Sequence, residues 1–430
     1  MSSSPKSLND VAWEKLFTKY DILEQVSSQD RFEISAAQIK EFREPRLMAK
    51  FDHVINLPKI FSDNKLAILP ISRGDYVISN FNAYHKFELD NSPIARVSLP
   101  TYVQSLNFNK IPSEAIALNC AVATGIIAEF LQDEDIIPTV SGRMGSGSFS
   151  FNITNSSNGS PCLVQVNNSQ IEIDAAYEGV CSLALFEAKC DLSEDFLVRQ
   201  LYYPFRLWKN RVTKPVRTIF LLYSNDIYRL YEYTFQDVNN YNSLILVNQK
   251  NYSIVDTTIE ITDIQNVLRQ VNNIQEPKIP FPQADSFERV INICELLSDQ
   301  ELSRNDVTEQ YAFDVRQTNY YTDAARYLGL IEKKKDKRMP IYTLSEAGRR
   351  ILSLNFKQRQ LAYCNCILSH QAFRDTLQKY FESGNMPQTE EIVQIMKYSN
   401  LYNMESDSTF ERRSSTIKGW IDWIIGLINE

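Results

Sequence analysis

The sequence predicts an α/β core followed by a smaller α+β region. Three observations predict it: two adjoining strand-like segments between Gln170 and Lys189, a long apolar helical run just before them, and a proline-rich break at 271–285 after which helical periodicity resumes. A chain of 430 residues with 43% hydrophobic content can bury two or three cores, so several domains are expected.

AIALNCAVATGIIAEFLQDED, residues 115–135, reads as one buried helix with Glu129 near its end. SGRMGSGSFSF, residues 141–151, holds three glycines in six residues beside Arg143. Its amides could approach a phosphate, or it could simply be a bend feeding a strand from Phe149 to Ile153, the reading favoured here. It lacks the lysine-serine/threonine ending of a nucleotide-binding loop, which argues against ATP.

In QIEIDAAYEGVCSLALFEAK, residues 170–189, Ile171 and Ile173 share one face and Glu172 and Asp174 the other, with a turn allowed at Gly179. Leu185, Phe186 and Ala188 belong to a buried run that ends in Glu187 and Lys189 on one face. Alone, E-x-K is a weak signal, because charges alternate on many solvated strands. An acid and a lysine closing a two-sided apolar strand are less ordinary. Hard cations such as Mg²⁺ take one or two carboxylates, waters and a substrate phosphate oxygen. Asp174, Glu187 and Lys189 are therefore the makeup of a Mg²⁺-dependent phosphodiesterase centre, with Lys189 positioning water and neutralising charge.

SEDFLVRQLYYPFRLW, from residue 193, predicts a helix capped by Ser193 that sets Gln200 and Tyr203 on one face, for site work or for ordinary packing. Arg199, Arg206, Lys209, Arg211, Lys214 and Arg217 then occur without an acid between them, which predicts a local positive edge. The formal net charge of -8 argues against a histone-like coating protein but leaves room for local phosphate contacts.

Beyond the break, SFERVINICELLSD predicts a helix, Ser303 caps a second, and Asp314 precedes a third that stops at Gly329. A basic hairpin follows. Arg316, Gln317, Asn319 and Tyr320 stand near the start of the third helix, and Lys333, Lys334, Lys335, Lys337 and Arg338 in the hairpin. In STFERRSSTIKGWIDWIIGLI, Trp420, Trp423, Ile424 and Leu427 repeat at core spacing, while Arg412, Arg413 and Lys418 form either a phosphate-facing or a solvated face.

The Asp174 and Glu187-Ala188-Lys189 pattern resembles the PD-(D/E)xK nuclease superfamily. The wider text, through RLMAKFDH (46–53), ILPISRGDYVI (68–78), AYHKFE (83–88), SGRMGSGSFSF and QIEIDAAYEG, resembles Type II restriction endonucleases within it. The similarity covers roughly residues 30–235, is specific in 170–189 and looser elsewhere, and Ile173-Asp174 stands where the superfamily has Pro-Asp. It implies a mixed central sheet flanked by helices, Mg²⁺ (with Mn²⁺ able to substitute) held by Asp174, Glu187 and the Ala188 carbonyl, and Glu129 as a possible helical ligand. It also implies a role for Gln200 at the scissile strand. YLGLIE followed by YTLSEAGRRIL resembles a winged helix-turn-helix, whose third helix would read base edges while the wing meets phosphates. Winged helices also serve as protein-protein modules.

The divisions that follow are 1–110, DNA-contacting or packed on the core; 111–270, the nuclease core; 271–285, a linker; 286–355, a winged helix; and 356–430, a second winged-helix-like unit. Double-stranded DNA, a homodimer and a separate methyltransferase are the expected partners. No adenine-methylase NPPY occurs, so S-adenosylmethionine is not expected. Arg143, Arg199 and Arg206 join the C-terminal bases as expected DNA contacts. Two other classes stay open: a winged-helix regulator carrying an inactive nuclease fold, and a nonspecific repair nuclease. Seven unpaired cysteines and the absence of an apolar run or signal-peptide core predict a cytoplasmic, prokaryotic protein without a membrane segment. Only three histidines occur, at 53, 85 and 370, which disfavours a histidine-metal site.

Overall fold

A computed structural model describes residues 6–88, 93–108, 110–254, 258–311, 313–336 and 339–428, with the backbone alone at 309, 310, 335 and 336. The chain forms two compact units, 1–223 with 227–254, and 224–226 with 255–430. Both mix helices and strands, so the fold is α/β as the sequence predicts.

The first unit opens with α1 (Leu8–Lys19), capped reciprocally by Ser7 and Asp10, and α2 (Ile22–Gln29). Strands β1 (Phe32–Ser35), β2 (Ala67–Pro70) and β3 (Asp75–Ser79) pair in the order β1-β3-β2, with short helices α3 (Ala36–Lys40), α4 (Pro45–Met48) and α5 (Lys59–Asp63) between β1 and β2. Trp13, Phe17 and Phe61 meet edge to face in their core. The segment then runs through β4 (Tyr84–Lys86) and β5 (Ile94–Arg96).

The run at 115–135 is two helices, α6 (Glu114–Ala123) and α7 (Ile126–Leu131), rather than one. Gly125 takes φ +77° between them, a conformation that ends α6 and lets both helices turn apolar faces to the sheet. That sheet has seven strands in the order β5-β14-β13-β12-β10-β9-β6. They are β6 (Ile137–Gly145), β9 (Gln170–Glu178), β10 (Leu183–Lys189), β12 (Val216–Ser224), β13 (Ile227–Phe235) and β14 (Leu244–Ser253), with β5 at the far edge. The sheet is mixed: β6, β9 and β10 run antiparallel in turn, whereas β10 and β12 are parallel. Between β6 and β9 a separate hairpin of β7 (Ser148–Thr154) and β8 (Pro161–Asn167) is inserted, which extends the strand expected at Phe149–Ile153.

The helix expected to be capped by Ser193 starts five residues later, with Val198 at the cap position. Residues Asp195–Leu197 form β11, paired with β4, and α8 spans Arg199–Lys209 with no side-chain cap. Pairing to β4 outcompetes the local capping signal. Helix α8 covers the sheet face opposite α6 and α7, with Leu201 and Phe205 in the core that holds Leu183 and Leu185.

In the second unit the helices are α9 (Ile261–Gln270), α10 (Phe287–Leu296), α11 (Arg304–Gln310) and α12 (Val315–Tyr327), with β15 (Leu302–Ser303) before α11. Strands β16 (Ile331–Asp336) and β17 (Met339–Leu344) then form a hairpin, and the sheet order is β15-β17-β16. Ser303 and Asp314 cap α11 and α12 as expected, and Gly329 closes α12 at φ +70°. Helices α13 (Glu346–Leu352), α14 (Phe356–Leu368), α15 (Gln371–Ser383), α16 (Thr389–Lys397) and α17 (Asp407–Gly426) complete it.

Three sequence boundaries are corrected here. The first unit ends at 254, not 270, because Ile259 and Ile264 pack into the second core. The stretch 271–285 is no linker: Phe281 and Ala284 are buried, and Phe281 stacks on Phe373. Residues 356–430 contain no strand among those described and share a single core with 286–355, so the boundary at 355 does not separate two cores. Trp420 shows why. Its ring lies against Phe287 and Phe373, and its Nε1 donates to the Ala284 carbonyl at 2.7 Å. Trp420→Ala is expected to destabilise this unit by about 3–5 kcal/mol, seen as a lower denaturant midpoint in equilibrium unfolding.

Candidate active site

The two central strands of the predicted site pair with each other from Leu183↔Glu178 to Phe186↔Ala175. Gly179, in the turn between them, has no room for a Cβ, which would stand 2.1 Å from the Asp133 carboxylate. Asp133 accepts the Cys181 N–H there and fixes the turn. Strict alternation does not hold along β9. Ile173 and Ala176 pack in one core and Ala175 and Tyr177 in or against the other. Against β6 the register passes from Val140↔Ala176 to Gly142↔Ile173, so Asp174 and Ala175 oppose the single residue Ser141. This is a β-bulge, a feature that re-aims a side chain. The Asp174 carboxylate accepts the Ala188 N–H at 2.8 Å, taking over from the strand ladder where the pairing with β10 stops.

Glu187 and Lys189 share one face as predicted, with Lys189 Nζ 2.6 Å from Glu187 Oε1 and 3.2 Å from the Ala188 carbonyl. Gln200, in the first turn of α8, donates to the same Glu187 oxygen at 2.6 Å, and its Oε1 is buried without a hydrogen-bond partner among the described residues. Gln200, Glu187, Glu172 and Ile173 line a small cavity. Tyr203 does not accompany Gln200; its hydroxyl donates to the Pro70 carbonyl at 3.0 Å.

Two acids that the sequence reading did not assign also reach the site. Glu114, in the first turn of α6, lies 3.8 Å from Lys189. Asp52, in the turn after α4, acts electrostatically on both Glu187 and Lys189. Glu129, expected as the helical ligand, instead pairs with Lys250 on an exposed surface. The break at Gly125 separates Glu129 from the end of the helix that meets β10. The Ser113-Glu114 helix start was the available signal for Glu114, as was the segment 46–53 for Asp52.

Burial would lower the Lys189 pKa, but the carboxylates of Glu187, Glu114, Asp52 and Asp174 outweigh it and hold the ammonium well above its ordinary value. Burial, with Asp174 nearby, pushes the Glu187 carboxyl up to about 7 despite Lys189. Burial likewise raises Asp174, and raises Glu114. Lys189 is thus shared by four acids, with Lys50 beside Asp52, and a cluster this rich in hard oxygen donors suits a divalent cation. Asp174, Glu187 and the Ala188 carbonyl are the groups that could hold it. Among the described residues no three His, Cys, Asp or Glu side chains stand together at ligand spacing, so waters and a substrate oxygen would complete the shell.

The predicted DNA contacts divide. Arg143 lies on the edge strand β6, exposed and 3.3 Å from Glu172. Arg199 is half-buried over the Tyr203 ring. Arg206 is buried and structural: its guanidinium donates to the Ser150 and Val238 carbonyls and to Tyr202 Oη. Arg217 pairs with Glu232 and Lys214 with Glu178, so two of the six bases of the expected positive edge are neutralised, while Lys209 and Arg211 are exposed. On α12, Arg316 is exposed and Gln317, Asn319 and Tyr320 are half-buried. Lys333 and Lys334 are exposed on β16, with Lys334 3.1 Å from Glu301. Lys337, Arg338 and the Lys335 side chain lie outside the described residues. On α17, Arg412 and Lys418 are exposed and Arg413 is half-buried. No described helix is long and apolar enough to cross a membrane.

Three family models match successive stretches of the chain, each described as a domain of unknown function: DUF6996 over residues 10–78, DUF6997 over 79–253 and DUF7226 over 289–429. The second match carries Glu114, Asp174, Glu187, Lys189 and Gln200 and ends beside the division at 254; the first carries Asp52. No curated protein and no solved structure matches the chain.

Proposed function

We propose that this chain is a Type II restriction endonuclease of the PD-(D/E)xK superfamily that makes sequence-specific double-strand cuts in DNA by Mg²⁺-dependent phosphodiester hydrolysis. The observation that carries the reading is the meeting of Asp174, Glu187 and Lys189 where the pairing of β9 with β10 stops, with four acids acting on the Lys189 ammonium. A bound divalent cation would neutralise a non-bridging phosphate oxygen and lower the cost of ionising water. Asp174, Glu187 and the Ala188 carbonyl would hold it. Lys189 offers its N–H groups to the attacking water and to the charge that builds on the phosphate. Gln200, bonded to Glu187, fixes that carboxylate and has an unpaired amide oxygen to offer on the same side.

The second unit supports recognition. Its run of α10, β15, α11, α12 and the β16–β17 hairpin has the order of a winged helix-turn-helix, with α12 as the reading helix and the hairpin as the wing. One such site cuts one strand, so a homodimer is the economical assembly on a palindromic target. A cytoplasmic location in a prokaryote and a separate protecting methyltransferase follow from the same reading.

Purified protein incubated with plasmid DNA and Mg²⁺ is expected to give discrete fragments. A smear would indicate a nonspecific nuclease, and intact plasmid would favour a regulator without activity. Arg316→Ala is expected to weaken cognate binding by about 1–3 kcal/mol, whereas Lys333→Ala with Lys334→Ala should mainly flatten the salt dependence. Titrating labelled DNA at several salt concentrations separates these two effects.

A further inference from the structure

We propose that Asp52 is a second carboxylate layer of this centre, an acceptor for water bound to the cation, supplied by a segment outside the strands that carry Asp174 and Glu187. The inference rests on the Mg²⁺ reading above and adds a residue to it.

Asp52 is held in place by its neighbours. Its carbonyl accepts the Leu197 N–H at 2.8 Å, and the Phe51 carbonyl accepts the Tyr84 hydroxyl at 2.9 Å. On the other side His53 Nδ1 meets the Asp195 carbonyl at 2.6 Å, and the Val54 N–H donates to the Asp195 carboxylate at 3.0 Å. Four hydrogen bonds thus clamp residues 51–54 onto β4 and β11, immediately before Gln200 in α8. None of them uses the Asp52 carboxylate.

The side chain is 17% exposed, with one oxygen 3.7 Å from Lys50. The other, Oδ1, is shielded from solvent and has no hydrogen-bond partner among the described residues. A buried, unpaired carboxylate oxygen is costly unless something supplies a donor. Gln200, nine-tenths buried, leaves its Oε1 unpaired as well. Gln200 is bonded to Glu187, and Asp52 lies close enough to act electrostatically on Glu187 and Lys189. Mg²⁺ dehydrates reluctantly and keeps several waters, whose protons need acceptors of this kind. Burial would raise the Asp52 pKa, but Lys50, Lys189, Arg199 and His53 outweigh it and keep the carboxyl ionised at neutral pH.

Groups that orient ligands from behind typically contribute ten- to a hundredfold to metal affinity. Calorimetric titration of the full chain with MgCl₂, in the absence of DNA, is therefore expected to show Asp52→Asn binding about tenfold more weakly. Lys50→Met removes the exposed cation beside Asp52 and should tighten binding by about two- to threefold. Lys50 is largely exposed, so this variant keeps the test decisive even if Asp52→Asn fails to fold. Unchanged affinity in a folded Asp52→Asn, or unchanged or weaker binding in Lys50→Met, overturns the proposal. Weakened binding in Asp52→Asn from a wild-type protein that binds Mg²⁺ but cuts no DNA would support Asp52 while removing the nuclease reading. A wild-type chain that takes up no Mg²⁺ overturns both.

Discussion

Glu187→Ala is expected to reduce Mg²⁺-dependent cleavage about a thousandfold or more, a loss of roughly 4 kcal/mol of transition-state stabilisation, with specific DNA binding retained. The carboxylate is buried, accepts from Lys189 and Gln200, and shares the field of Asp174. Its removal takes away a cation ligand and leaves two donors without their acceptor. Lys189→Met should abolish cleavage equally, but by a different route. The ammonium sits among four carboxylates, so its removal deepens the negative field and tightens Mg²⁺ binding while the water loses its positioning group. Plasmid digestion paired with calorimetric Mg²⁺ titration separates the two variants: Glu187→Ala loses both activity and metal, Lys189→Met only activity. Wild-type turnover by either variant would end the assignment of catalysis to this cluster.

The site's inner residues were legible because they lie close in sequence. Glu187 and Lys189 are two apart on a strand, so period-two patterning joins them, and Asp174 lies on the adjoining strand one turn away, although the bulge that aims it has no mark in the sequence. Gln200 could be read from its place on the following helix, although the start of that helix could not, because β11 pairs with β4, more than a hundred residues upstream. Asp52 and Glu114 depend on contacts with no local period. Asp52 arrives through the clamp on β11, and Glu114 through the packing of α6 on the sheet. The sequence reading treats 115–135 as one helix with Glu129 near its end, whereas one glycine in a left-handed conformation divides the run and Glu114 is the helical acid that lies beside Lys189. Arg206 was misread for a related reason. An arginine in a basic stretch suggests a surface, whereas here its guanidinium ties α8 to two backbone carbonyls and lies over the Phe149 ring. The bulge at Asp174 was also invisible, because an extra residue in a strand has no compositional mark.

The same buried acid gives the protein a characteristic pH response. Glu187 holds its proton up to about 7 in the folded site, against an ordinary value of 4.5. A group that binds its proton more tightly folded than unfolded stabilises the fold below its unfolded pKa, and this contribution disappears as pH rises through the folded value. Metal-free protein is therefore expected to lose stability from about pH 5 to pH 7, by on the order of 3 kcal/mol from this group. His53 is raised too, because Asp195, Asp191 and Asp52 outweigh its burial, and it acts in the same direction over a neighbouring range. Thermal melts of the wild type and Glu187→Gln across pH 5 to 8 isolate the glutamate, as the variant keeps the His53 contribution but lacks the other. Cation binding has the opposite slope, since it requires the ionised carboxylate: Mg²⁺ affinity should climb through about pH 7, and added Mg²⁺ should raise the melting temperature more at pH 8 than at pH 6. Asp174→Asn removes the neighbouring negative charge that helps hold the Glu187 proton, so the midpoint of the wild-type stability loss should move to lower pH in that variant. Identical pH dependence in the wild type and Glu187→Gln would show that the proton is not held where the packing of β10 against α8 puts it.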